Sequence, residues 1–386
     1  MSFYLQMSSL LAITGMVLVL LLTRWWPQNK RILLVLFNLG FLLYFDIRVL
    51  YFYIIYTFIN YLMLIFLCRT LTWRKTTFIF FIVLNLSAVC LFRMSHMGVT
   101  NLPLLNAIVT LGIMYNVLKV IDALYFAYFF GKDGQVKLLD YTNFLLFVPT
   151  FTSGPILKFR DFISDIKQPY QVTAEQFEAG TKRVILGLFK KVVVVVLMTD
   201  LLQYVLGKDV LYTQHSLFLM VWFYILIYMD FSGYSDIAVG FGRLMGYNIP
   251  ENFKKPFHSL TLTQFWRNWH ATLGDWFRDH IFIFFSRKTP SKLTAASLSI
   301  VVMLLMGLWH NFTWLFVLYG LYHGIIIALE NLFGKTTVNR KRVSKLYFYF
   351  RWALTQGLII LAIIINMDDQ TTILRIYRGL FNFPNW

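Results

Sequence analysis

The chain has 386 residues, 58% hydrophobic and 14% charged, with a net charge of +17 from 35 basic and 18 acidic residues. A soluble chain of this size carries about a quarter charged residues, so the composition excludes an ordinary soluble protein. The basic residues collect in short loops between apolar runs, which argues against a nucleic-acid footprint and fits an anionic membrane face or an acidic partner.

Apolar runs recur from end to end with no long polar separator, which predicts a single all-α, polytopic membrane domain over 1–386. The first run, Leu10–Leu22, has no basic residue before it and no small-residue cleavage site after it; it reads as a retained helix rather than a signal peptide. Spans are predicted at about 8–23, 31–45, 49–67, 77–92, 104–130, 191–206, 216–232, 297–312, 313–331 and 347–366, about 10–11 crossings in all. Cys68 and Cys90 fall in or beside apolar runs without metal-ligand spacing and read as small buried hydrophobes.

Basic clusters lie at Arg24–Arg31, Arg69–Lys75, Lys158–Lys191, Lys254–Lys255, Arg287–Lys292 and Lys335–Lys345. The positive-inside rule puts them in the cytoplasm and the N-terminus outside. That alternation requires 141–156 and 233–256, both rich in Pro and Gly, to be irregular re-entrant segments. Within 157–192, basic and apolar residues alternate, and Thr173-Ala174-Glu175-Gln176 is a capping box opening an amphipathic helix. Such a helix suits either the lipid surface or an acidic docking partner.

Thr261-Leu262-Thr263-Gln264 is a second capping box. At helical spacing, Trp266, Trp269, His270, Leu273 and Phe277 would share one face, with Asp275 and Arg278 paired elsewhere. Then comes Met306-Gly307-Leu308-Trp309-His310, closing an apolar run. An imidazole that deep in hydrocarbon is costly unless it faces a wet or polar cavity, so His310 is the foremost candidate for chemistry. His270 is either a partner in proton transfer or a structural histidine. His323 is either a polar neighbour of that site or a helix-packing residue. No phosphate loop, zinc helix or nucleophile elbow is present, and no metal site is expected.

Four blocks carry a family resemblance. They are Asp230-Phe231-Ser232-Gly233-Tyr234-Ser235-Asp236, Pro250-Glu251-Asn252-Phe253-Lys254-Lys255-Pro256-Phe257, Phe265-Trp266-Arg267-Asn268-Trp269-His270, and Trp309-His310 with Tyr319-Gly320-Leu321-Tyr322-His323-Gly324. In order and spacing they resemble the membrane-bound O-acyltransferases over about 140–325. Phe147-Val148-Pro149-Thr150-Phe151-Thr152-Ser153-Gly154-Pro155-Ile156 resembles the branch that transfers D-alanine to teichoic acid, while Ser235-Asp236 and Pro250–Phe253 lean toward polysaccharide O-acetyltransferases of the alginate type. Asn311 follows His310 where these families commonly carry Gly, and Gly274-Asp275 replaces a small hydroxyl pattern.

The resemblance implies a bacterial plasma-membrane enzyme with re-entrant segments around a central tunnel. His310 would be the general base and His270 its companion, with Trp266, Trp269, Asn268, Trp309, Asn311, His323, Ser235 and Asp236 lining the substrate path. The acyl group, D-alanine, would arrive as a phosphopantetheine thioester on an acidic carrier protein docked at Lys254, Lys255 and Arg287. No cofactor would be bound by the chain itself. Accessory membrane subunits are expected, with teichoic acid or another envelope polymer as acceptor and no nucleic-acid partner. A reading from another class, a proton-coupled transporter or lipid flippase, would call for two similar, interrupted halves, and no such repeat is seen.

Overall fold

The computed structural model describes residues 6–26, 29–70, 72–96, 112–131, 136–286, 290–338, 343–367 and 369–383, which are helical with no β-strand among them. They form two compact units, Met1–Leu186 with Tyr234–Pro250, and Gly187–Gly233 with Glu251–Trp386.

The first unit is built from α1 (Met7–Leu22), α2 (Asn29–Phe45), α3 (Ile47–Arg69), α4 (Arg74–His96), α5 (Ile113–Phe130), α6 (Leu138–Leu146), α7 (Phe159–Lys167) and most of α8 (Ala174–Phe189). Asp46 caps α3 by accepting from the Arg48 N–H at 2.7 Å, so a single residue separates α2 from α3. Outward residues such as Ile79, Phe80 and Val83 of α4 are exposed and apolar, the pattern of a helix face turned to lipid. The Thr173 capping box forms in both directions: Gln176 N–H donates to Thr173 Oγ1 at 3.2 Å and Thr173 N–H to Gln176 Oε1 at 3.0 Å.

Segment 141–156 is irregular only beyond Leu146, since 141–146 belong to α6, which corrects the first part of that expectation. After α6 the chain makes a 3-10 turn, Val148–Thr150, and continues in buried, irregular backbone. Such backbone needs partners from neighbouring helices. Asn38 of α2 accepts from Val148 N–H at 3.4 Å and donates to Asn143 Oδ1 at 3.3 Å, and the buried Lys119 of α5 donates to Leu145 O at 3.3 Å.

The second unit contains α9 (Val195–Leu206), most of α10 (Thr213–Leu244), α11 (Leu262–Asn268), α12 (Ala271–Phe277), α13 (Ile283–Ser286), α14 (Lys292–His310), α15 (Trp314–Leu332), α16 (Lys345–Ile363) and α17 (Gln370–Gly379). Seven described helices, α3, α4, α5, α10, α14, α15 and α16, are long and apolar enough to cross a membrane. Predicted spans 8–23, 31–45 and 191–206 correspond to the shorter α1, α2 and α9, and 104–111 lies outside the described residues. Cys68 is half-buried and Cys90 exposed on α4, so the expectation of two buried thiols is corrected.

One larger correction concerns 233–256. Residues 233–244 are not irregular; they continue α10 to 32 residues, roughly 48 Å, longer than the ~30 Å hydrocarbon core. Glycines of this stretch are packing sites. A Cβ on Gly233 would lie 3.0 Å from Lys190 Cβ and 3.1 Å from Gly187 O, and one on Gly240 would lie 2.8 Å from Gly180 O.

The same device sets the α14–α15 hairpin. A Cβ on Gly307 would lie 2.3 Å from Phe316 O, one on Gly320 2.6 Å from Met303 O, and one on Gly324 2.9 Å from Ile300 Cα. Small residues every fourth position let two membrane helices approach backbone to backbone. Gly320→Ala should therefore destabilise the protein by about 1–3 kcal/mol through overpacking. Gly357→Ala, where the described residues leave nothing within 4 Å of the new Cβ, should be neutral or slightly stabilising. Thermal unfolding of both variants in detergent checks this, and equal shifts would contradict the packing role.

Candidate functional site

In the second unit, residues 257–263, which lead towards His270, are held by a clamp from α15 and α16. The buried carboxylate of Glu330, on α15, accepts from Leu262 N–H at 2.9 Å, Thr263 N–H at 2.8 Å and Thr263 Oγ1 at 2.7 Å. Arg351 of α16 lies 3.8 Å from that carboxylate. From the same helix, Arg351 donates to Leu260 O at 3.2 Å, Trp352 to Phe257 O at 2.8 Å and Gln356 to Ser259 O at 3.3 Å. Thr261 completes the start of α11 by accepting from Gln264 N–H at 3.0 Å, as its capping box predicts, although Gln264 reaches back to Leu260 N–H instead of Thr261.

The expected single helix over 261–285 is not formed. α11 stops after Asn268, His270 adopts a left-handed conformation (φ 46°, ψ 46°), and α12 starts afresh at Ala271. The shared aromatic face is therefore corrected: Trp266 and Leu273 sit on different helices. The Asn252–Lys254 segment makes the break. Lys254 N–H donates to Asn268 O at 2.9 Å, closing α11, while Asn252 accepts from Ala271 N–H through its carbonyl at 2.8 Å and from Thr272 Oγ1 through its side chain at 2.8 Å, opening α12. A left-handed non-glycine residue costs roughly 1–2 kcal/mol, so the flanking hydrogen bonds hold it there. The pairing of Asp275 with Arg278 is present, at 2.6 Å.

His310 is the last residue of α14, and the Asn311 N–H closes the helix onto Gly307 O at 3.1 Å. His270 and His310 line one cavity of about 470 Å³, together with Trp266, Trp269 and Asn311. Trp309 stands edge-on to both histidines, with ring centroids 6.2 Å from His270 and 4.9 Å from His310, and His310 stacks on Phe316 at 5.9 Å. His270 is buried, whereas His310 is partly open to the cavity. Thr313, Asn366 and Gln370 add polar groups to the wall. The site can thus offer two imidazoles to one substrate from a wall of mixed aromatic, aliphatic and polar side chains.

Other expected site residues lie elsewhere. Asn268 donates to Ser259 Oγ at 3.3 Å and is not on the cavity wall; its role is in the helix break. His323 is buried behind Trp266, with ring centroids 5.2 Å apart. Ser235 and Asp236 belong to the first unit, where the Asp236 carboxylate is held by Arg183, and they do not line this cavity. Lys254 and Lys255 are exposed; Arg287 lies outside the described residues.

Two residues escaped the sequence reading. Asp230 lines the cavity and is ion-paired with the buried Lys191. Lys191 reaches it from a π-helical turn, Lys190–Val194, and neighbouring Lys190 donates to Ser232 Oγ at 3.2 Å. π-turns recur at functional sites because they re-aim side chains. The signal in the sequence was the pair Lys190-Lys191 abutting an apolar run, read there as the end of a surface cluster.

Burial pushes the His270 imidazolium down to about 4, so at neutral pH the ring is neutral. Between that value and the ~6.5 of an unfolded chain, the unfolded state binds the proton better. The stability due to His270 is therefore complete above about pH 6.5 and lost as pH falls toward about 4. Thermal unfolding scanned across that window should fall more steeply for the unmodified protein than for His270→Gln. Parallel curves would rule the argument out.

The pattern of the membrane-bound O-acyltransferase family (MBOAT) matches residues 61–366. Among curated proteins, a probable alginate O-acetylase of Pseudomonas syringae pv. tomato is 30% identical over 294 residues, 76% of this chain and 56% of that protein. A teichoic acid D-alanyltransferase of Streptococcus thermophilus is 33% identical over 234 residues, 55% of each chain. A peptidoglycan O-acetyltransferase of Helicobacter pylori is 28% identical over 250 residues, 63% of this chain and 46% of that protein. The chain spans about half the length of these curated relatives. With the family pattern running through both the His270 and His310 blocks, this multi-pass membrane chain belongs to the membrane-bound O-acyltransferase family.

Proposed function

We propose that the chain transfers an acyl group, D-alanine, from a carrier-protein thioester on the cytoplasmic side to hydroxyls of teichoic acid outside. The observation that carries this reading is that His270 and His310 line one cavity. A hydroxyl must lose its proton as it attacks a thioester carbonyl, and neutral imidazole is a suitable base at neutral pH. His310, the more open of the two, takes that proton. The hydroxyl oxygen bonds to the carbonyl carbon, and a neutral His270 donates an N–H to the developing oxyanion. Collapse breaks the C–S bond, the proton on His310 passes to the departing thiolate, and an ester and a free thiol result. The phosphopantetheine group belongs to the donor, and no cofactor of the chain's own takes part. The orientation follows the loop charges, with the N-terminus outside a bacterial plasma membrane.

A second reading has its own support: the alginate O-acetylase relative aligns over 76% of the chain against 55% for the D-alanyltransferase. The chemistry at the histidines is the same with an acetyl donor. The deciding experiment supplies purified protein with D-alanyl-carrier or acetyl-carrier thioester and a glycerol-phosphate polymer. D-alanyl ester formation is expected, and transfer from the acetyl donor alone would replace this reading with the O-acetyltransferase one. His310→Ala should lower the rate by about 10²–10⁴ without loss of folded protein. His270→Ala should also lose activity, whereas His270→Asn, which keeps an N–H donor, should retain part of it; equal loss in both would assign His270 to proton transfer rather than hydrogen bonding.

The carrier, an acidic protein in this reading, meets the exposed Lys254 and Lys255. Exposed charges are screened beyond ~8 Å at physiological salt, so its association should weaken as salt rises. Lys254→Glu with Lys255→Glu should lower carrier affinity chiefly at low ionic strength. Salt-independent binding by the unmodified protein would remove electrostatic steering from the account.

A further inference from the structure

Away from the histidine cavity, the first unit carries a feature that packing does not explain. At the turn from α3 to α4, Trp73 adopts a left-handed conformation (φ 60°) and is 80% exposed. Strained non-glycine residues cluster at ligand clamps and active sites. Trp73 lines an open cavity of about 500 Å³ with Arg74, Lys75 and Thr76 of α4 and Tyr128 and Phe129 of α5. Arg74 donates to Ala127 O at 2.7 Å, and its guanidinium carbon lies 5.9 Å from the centre of the Tyr128 ring. Its Nε is buried without a hydrogen-bond partner among the described residues. Tyr128 is steadied in turn by stacking on Phe78, with 4.6 Å between ring centroids.

Charge and surroundings define what fits this cavity. Its described wall has two cations and no carboxylate. Arg160 of α7 adds a third cation close by, 5.9 Å from the Phe130 ring. Beyond the cavity, Phe80 and Val83 of α4 and Phe130 of α5 are exposed and apolar. In a membrane chain such residues meet hydrocarbon, while Trp and Tyr mark the headgroup level. A basic pocket bordered by an apolar helix face matches an anionic phospholipid, which joins a phosphodiester to acyl chains. Arg presents paired planar donors to phosphate oxygens, and Lys adds a compact charge. Inorganic phosphate would leave Trp73 and Phe80 bare, and a soluble acidic protein would have to cover a surface turned to lipid. In the orientation given above, this end of α4 lies at the cytoplasmic leaflet, whose surface is negative.

We propose that the Trp73–Phe129 cavity binds one anionic phospholipid, its phosphodiester against Arg74 and Lys75 and an acyl chain along the outer face of α4. The lipid takes no part in the reaction. The inference requires only that the chain is a membrane protein, so it stands or falls apart from the acyl-transfer reading.

The test titrates the delipidated full chain in detergent with phosphatidylglycerol, phosphatidylcholine or inorganic phosphate, and counts bound lipid by native mass spectrometry. Each cation near a membrane surface favours anionic lipid by a factor of roughly five. One phosphatidylglycerol should therefore bind about tenfold or more tighter than phosphatidylcholine. Lys75→Gln should weaken that binding about fivefold, and Arg74→Gln with Lys75→Gln about 25-fold. Lys75→Gln leaves the Arg74 contact with Ala127 intact and carries the test should the double variant unfold. Lys292→Gln, which removes an exposed cation from α14, should leave binding unchanged. Phosphatidylglycerol with a photoreactive acyl chain should label peptides from 73–83 and 125–130. Equal affinity for the two lipids, or equal loss in Lys75→Gln and Lys292→Gln, would reduce the contact to diffuse surface charge and overturn the site. Competition by inorganic phosphate at the same concentration as the lipid, or labelling that avoids both peptides, would overturn it too.

Discussion

The carboxylate of Glu330 is the constraint on which the site's geometry depends. It is buried on α15 and satisfies two backbone N–H groups and a hydroxyl at the start of α11. Hydrogen bonds to a charged acceptor are among the stronger ones, and a buried carboxylate without such partners would be costly. The consequence is registration. α15 is locked to α14 by glycine contacts at 307, 320 and 324, and α14 ends in His310. α11 leads two residues later to His270. One carboxylate thus ties the segment of one histidine to the hairpin of the other.

Asn252 performs the complementary task at the far end of α11. Its carbonyl and side chain open α12 while Lys254 N–H closes α11, so Asn252 and Lys254 of the Pro250–Phe257 block hold the break. The cavity that results is lined by aromatic, aliphatic and uncharged polar side chains with few charges, Asp230 being neutralised in part by Lys191. Burial favours the neutral form of His270, and shielding from water strengthens any hydrogen bond it offers to a developing oxyanion.

Much of this was legible in the sequence. The Thr173 capping box forms in both directions and the Thr261 one in its N-cap half, the Asp275–Arg278 pair forms, and His270, His310, Trp266, Trp269 and Asn311 meet at one cavity. What escaped has a common cause: local pattern says little about who packs against a residue. Gly233 and Gly240 look like helix breakers until the neighbouring helix is known. The break at His270 is imposed by Asn252 and Lys254, from a loop some eighteen residues upstream, so helical periodicity ran straight through it. Asp236 sits in the same block as Asp230, yet one is held by Arg183 in the first unit and the other faces the cavity; alternating positions on one helix point to different surroundings.

The central claim is that the acyl carbonyl is attacked between His310 and His270. A structure of the protein in complex with a carrier bearing a non-hydrolysable D-alanyl thioester analogue tests it most directly. The account predicts the carbonyl oxygen within hydrogen-bonding distance of His270 and room for one hydroxyl between the carbonyl carbon and His310, inside the cavity walled by Trp266 and Trp269. An acyl end bound elsewhere, with no contact to either histidine, would contradict it.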